Sequence, residues 1–177
     1  MLAIAVILVI AMFVVMYFDA TRFIIPNWLV GGLLILYPVA LFLTPAAVDW
    51  KSDLLGMLGV FALGYVIFAI RAMGGGDVKL IIVLSLWVGL QRLAAFGFNF
   101  AVLGGVLSIV ILILRGVIPA MVKDQEKLPR IFKKRQPVPY GLAIGGAFML
   151  MIAAGEIPIL NSELSIVPKQ AQPSPAQ

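Results

Sequence analysis

Residues 2–18 run for seventeen positions without a charged side chain, and five further apolar runs follow them. No feature of the chain constrains its fold more. A soluble domain carries about 25% charged residues, whereas this chain has 12% charged and 63% hydrophobic residues. In lipid each backbone N–H and C=O must be satisfied within the segment, which a helix of roughly 20 residues achieves. The runs therefore predict an all-α, polytopic membrane protein of six transmembrane helices. One bundle domain is expected over 1–155, with a polar, disordered tail over 156–177 where prolines and glutamines replace the apolar pattern.

The first run is read as a retained helix rather than a signal peptide. No basic residue precedes it, since the first is Arg22, and no small-residue cleavage site ends it. Pro26 suits the first turn of the next helix, and the second span covers 28–44 with Trp28 as an interface anchor and Pro38 as a source of a kink. Residues 45–53 read as a polar turn with Asp49, Lys51 and Asp53, followed by a third span over 54–70. Gly56, Gly59 and Gly64 could let a neighbouring helix approach it. The fourth apolar run, 80–90, is short, so Asp77 is expected within the helical register. Spans five and six are placed at 94–114, with Gly104-Gly105 as a packing point, and at 140–154, with 115–139 as the one substantial loop.

Orientation follows from Lys and Arg. The connections after spans one, three and five hold ten of the 13 basic residues. The positive-inside rule puts these connections in the cytoplasm and both termini outside. The net charge of +5 is thereby a topological signal, concentrated in 115–139, and no nucleic-acid partner is implied. That loop could instead dock acidic surfaces such as lipid headgroups.

The chain has no histidine and no cysteine. Histidine-based triads, HExxH metal sites, disulfides and thiolate metal sites are excluded. No cofactor and no metal are expected. Acid–base chemistry is left to carboxylates, lysines and tyrosines.

Two carboxylates stand out. Asp19 ends the first apolar run, and Asp77 follows the glycines Gly74, Gly75 and Gly76. A carboxylate at a membrane boundary is costly and functional by default. The topology puts both at the same membrane face, and no other carboxylate is placed to be buried. Close together, they would share a proton at intermediate pH. The ionised member would then activate water and the protonated one would polarise a peptide carbonyl. Unwound glycine backbone could bind an extended peptide alongside. Taken singly, each has a plainer reading: Asp77 as a helix N-cap, Asp19 as a solvated residue paired with Arg22.

Asp19 shortly before Ile25-Pro26-Asn27, then Gly74-Gly75-Gly76-Asp77-Val78-Lys79, and then Pro139-Tyr140-Gly141 occur in that order. Together they resemble the type IV prepilin peptidases, a branch of the GxGD aspartic proteases. The resemblance implies a GxGD-type bundle in the inner (plasma) membrane, acting as an aspartic endopeptidase. It would remove the basic leader of prepilin or pseudopilin substrate proteins at the cytoplasmic face, just before their hydrophobic segment. Asp19 and Asp77 would be catalytic. Gly74, Gly75, Gly76, Lys79, Pro26, Asn27, Pro139, Tyr140 and Gly141 would support the site. Larger members carry a four-cysteine insertion and many methylate the new N-terminus. This chain looks like the short tight-adherence (Flp) pilus type, and no methyltransferase activity is expected. Lys79 and Arg22 could bias the charge of an aspartate or act only as positive-inside anchors. Asn27 could bond near the site or simply start span two, and Tyr140 could donate at the active face or sit at the interface. The rival function is a non-catalytic transporter or pilus-assembly scaffold whose aspartates bind a proton or cation.

Overall fold

The computed structural model describes residues 2–43, 49–121 and 137–160, without the side chains of 119–121. It contains six α-helices, α1 Leu2–Arg22, α2 Asn27–Leu43, α3 Trp50–Ala69, α4 Gly75–Val88, α5 Leu93–Met121 and α6 Tyr140–Ala153, and no strand among the described residues. The segments Leu2–Arg22, Trp50–Ala69, Leu90–Ile118 and Tyr140–Leu160 are each long and apolar enough to cross a membrane, and α2 is a shorter apolar helix. The chain is thus an all-helical, polytopic membrane protein.

α4 is the axis of the bundle. Every residue from Val83 to Val88 is buried, so this helix is covered on all sides. It packs against α2, α3 and α6, while α6 also packs against α1 and α5. α1 shows one inward stripe, Ile4, Leu8, Ala11, Met12, Val15 and Asp19. These positions recur at helical spacing, so the geometry that buries the aliphatic residues also carries Asp19 inward. α1 and α6 lie close because Gly145 has no side chain. A Cβ there would stand 2.9 Å from Met16 Cγ.

The helix ends differ from expectation in several places. α1 runs on through Asp19 to Arg22. α3 starts at Trp50, its first turn capped by the Asp49 carboxylate, which accepts from the Ser52 amide at 3.3 Å. α5 runs to Met121, well past Leu114. Arg115 therefore sits on a helix, and its guanidinium donates to the Pro137 carbonyl at 3.0 Å. The loop expected over 115–139 is correspondingly shorter, and 122–136 lies outside the described residues. Beyond α6, Ile157 and Ile159 are each 1% exposed and join the core. Residues 161–177, the bulk of the expected tail, also fall outside the described residues. Of the small residues read as packing points, Gly56 meets Leu90 and Leu93, Gly64 meets Val78 and Gly104 meets Tyr140 and Ala143, whereas Gly59 and Gly105 face open space.

One expectation is overturned. The sequence predicts Asp53 in a polar turn and no buried carboxylate besides the pair, but Asp53 lies on α3 and is only 7% exposed. Tyr37, sixteen residues away on α2, donates its hydroxyl to Asp53 Oδ2 at 2.6 Å. Gly89, at φ 77°, makes the room, since a Cβ there would stand 2.7 Å from Asp53 Oδ1. The same tyrosine meets Trp87 edge-on at 5.4 Å, and the Trp87 indole donates to the Leu33 carbonyl at 3.1 Å. This network ties α2, α3 and α4 together at the end remote from Asp77. Tyr37→Phe leaves the buried carboxyl oxygen without its donor, at a cost of about 1–3 kcal/mol. It is expected to lower the midpoint of thermal unfolding in detergent, while Asp53→Asn, which keeps an acceptor for Tyr37, stays nearer the parent.

Candidate active site

The end of α1, the turn between α3 and α4, and the start of α6 meet at one end of the bundle. They enclose an open cleft of about 1130 Å³. Asp19 and Asp77 both line it, together with the glycines 74–76, Asn27, Lys79 and Tyr140. Pro26, Pro139 and Gly141 are not among the lining residues, though each is the chain neighbour of one that is.

Asp19 is 5% exposed. The backbone amides of Gly141 and Leu142, at the start of α6, face its carboxyl group. Its Oδ2 is buried and takes no hydrogen bond. Gly141 is what lets the carboxyl sit there, because a Cβ on it would meet Asp19 Oδ2 at 2.7 Å. Pro139 precedes α6 and is buried, and its carbonyl accepts from the Leu142 amide at 3.3 Å, closing the first turn. The solvated, ion-paired reading of Asp19 is corrected by this burial. Arg22 instead lies over the Phe18 ring at 5.1 Å, and no ion pair joins it to Asp19.

Asp77 occupies the third position of α4, in its first turn, where the helix dipole favours a negative group. It is not the N-cap. Gly74 holds that place with extended backbone, φ −66° and ψ 144°, and its carbonyl accepts from the Val78 amide at 3.1 Å. The cap reading of Asp77 is therefore corrected too, and its carboxyl is left to face the cleft. Close approach explains the first two glycines. A Cβ on Gly74 would meet Asp77 Oδ2 at 3.1 Å and one on Gly75 the Phe68 ring at 3.2 Å, whereas one on Gly76 would make only ordinary contact with Ile25 at 3.4 Å. The two carboxyl groups are near enough for their charges to interact.

Lys79 and Asn27 come together. The ammonium donates to Asn27 Oδ1 at 3.4 Å, tying the start of α2 to α4 on the rim of the cleft. Pro26 sets that start, its carbonyl accepting from the Leu29 amide at 3.1 Å. Tyr140 opens α6 and lines the cleft beside Asp19. Sequence reasoning passed over Phe23, Phe68, Arg71 and Met73, which also line it. Phe23 and Arg71 take left-handed backbone conformations, φ 56° and 59°, as the residues that end α1 and α3. Their place immediately beside the two aspartate segments was the available signal. Among the described residues no group of His, Cys, Asp and Glu side chains could hold a metal ion.

The unwound glycine stretch expected from the sequence is a single residue, Gly74, because Gly75 and Gly76 already belong to α4. Two carboxyl groups in a water-accessible cleft form an arrangement capable of acid–base attack on a peptide bond. A family model described as the type IV leader peptidase family matches residues 6–109, which include both aspartates. The chain is 30% identical over 154 residues to the prepilin leader peptidase/N-methyltransferase of Bacillus subtilis (strain 168), covering 86% of this chain and 56% of that relative. The chain thus spans little more than half the length of the curated relative it matches. No solved structure matches it significantly.

Proposed function

We propose, from the premise that the chain belongs to the type IV leader peptidase family, that it is a membrane aspartic endopeptidase removing the leader of prepilin-like proteins. The observation that carries this reading is the convergence of Asp19 and Asp77 on one cleft from helices 1 and 4. In the proposed mechanism one carboxylate takes a proton from water as the water attacks the scissile carbonyl carbon. The other carboxyl, protonated, donates to the carbonyl oxygen. Collapse of the tetrahedral intermediate breaks the C–N bond, and the amine leaves with a proton from the pair. The substrate lies extended against Gly74, the extended residue before α4, and is held by strand-like backbone hydrogen bonds. Asn27, Lys79 and Tyr140 are positioning residues on the rim. The cleft faces the cytoplasm of an inner-membrane protein with both termini outside, a topology supported by the Lys and Arg distribution. Methyl transfer, the second activity in the relative's name, is not part of the proposal.

Purified protein in detergent is expected to shorten a prepilin-like peptide by its leader, read by mass. The rate should follow a bell-shaped pH profile. Protonation of both carboxyls at low pH removes the base, and ionisation of both at high pH removes the acid. No shortened product at any pH, from protein that is folded, would overturn the reading.

A further inference from the structure

Between α3 and α5, with α4 as its floor, lies a second cavity of about 370 Å³. We propose that this groove seats the apolar helix of the substrate on the C-terminal side of the scissile bond, a proposal that rests on the peptidase reading above.

The first argument is continuity. Met73 lines both the groove and the cleft, and Val78 in the groove is the neighbour of Asp77. From Met73 the groove follows α4 past Val78 and Ser85 to Leu93, at the far end of that helix. A substrate cut just before a hydrophobic segment must place that segment in apolar surroundings that begin beside the carboxyl groups. The groove is an apolar cavity that starts there.

The second argument is chemistry. Ser85 is the one hydroxyl in the lining, and it is already satisfied, donating to the Ile82 carbonyl at 2.6 Å. A groove with no unmet polar group suits an occupant whose own hydrogen bonds are internal, as in a helix. The third argument is shape. On the α5 wall, Gly97 has nothing within 4 Å of the place its Cβ would take, and small residues on a helix face let another helix come close in lipid.

Gly97→Trp fills the groove from a position with free space, so the fold should tolerate it. Two substrates are compared, a full-length prepilin-like protein and a short peptide that ends a few residues after the scissile bond. The ratio of kcat/KM for the full-length substrate to that for the peptide is expected to fall about tenfold or more, as an occupied apolar site would dictate. Gly105→Trp, on the same helix but outside the groove, should leave that ratio unchanged. An unchanged ratio in Gly97→Trp, or the same fall in Gly105→Trp, would overturn the groove assignment while peptide cleavage by the parent protein leaves the peptidase reading standing. A photoreactive residue at Leu63 gives the second measurement. Capture of the substrate helix supports the proposal, and capture of lipid alone or of a second copy of this chain overturns it.

Discussion

Asp77→Asn and Asp19→Asn are each expected to reduce leader cleavage by roughly 10³-fold or more, the scale on which removal of an acid or base that acts in a unit is felt. The amide keeps the shape of the carboxyl but can neither accept the proton of the attacking water nor deliver one to the carbonyl oxygen. Each variant should still insert and fold. Asp77 caps nothing and its helix already has Gly74 as N-cap. Asp19 Oδ2 has no hydrogen bond to lose. Burying a carboxyl carries a solvation penalty that a neutral amide partly escapes, so the unfolding midpoint should hold or rise. Product quantified by mass, with thermal unfolding measured on the same samples, separates lost chemistry from lost structure. Full processing by either variant would remove that residue from the mechanism. Equal stability with no processing is what a proton- or cation-binding scaffold cannot explain.

How much of this was legible beforehand follows from the range of the forces involved. That Asp19 ends a membrane-spanning helix was readable, because the apolar run 2–18 leads into it, but its inward face was not, since that run is apolar all round and only packing marks Ile4, Leu8, Met12 and Val15 as the buried stripe. The shared end of the two aspartates was readable as well, since charge asymmetry fixes which connections lie on one side. The start of α4 was harder. Glycine disfavours helix by about 1 kcal/mol relative to alanine, yet Gly75 and Gly76 open α4, and the Phe68 ring leaves Gly75 little room for a Cβ. Tertiary contact overrode local preference there. Asp53 was not legible at all. Its donor Tyr37 comes from another helix, and the opening for its other oxygen is the missing side chain of Gly89. Neither relation leaves a periodic trace in the chain. The groove over α4 is hidden for the same reason, as it depends on how far α3 and α5 splay rather than on any motif.

Gly141→Ala is expected to lower kcat about 100-fold with only a small change in stability, a larger effect per added atom than any other substitution considered. The added Cβ would stand 2.7 Å from Asp19 Oδ2, 2.8 Å from Cγ and 2.9 Å from Cβ, closer than real Cβ atoms come to their neighbours. A long side chain could bend away at its tip, but aspartate has only one rotatable carbon between backbone and carboxyl. Relief must come from rotating the carboxyl out of its place or from moving α6 off α1. The second route is resisted one turn along, where Gly145 already lies against Met16. The carboxyl therefore moves, and a displacement of about 1 Å at a reacting group costs on the order of 10² in rate. Stability responds differently. Overpacking costs about 1–3 kcal/mol, but alanine returns up to about 1 kcal/mol as the better helix former. The signature is thus a fall in kcat with KM little changed, since the glycine turn and Lys79 that hold the substrate are untouched. If Gly141→Ala turns over at the parent rate, the carboxyl of Asp19 does not need the position that α6 imposes on it, and its assigned part in the reaction falls with that result.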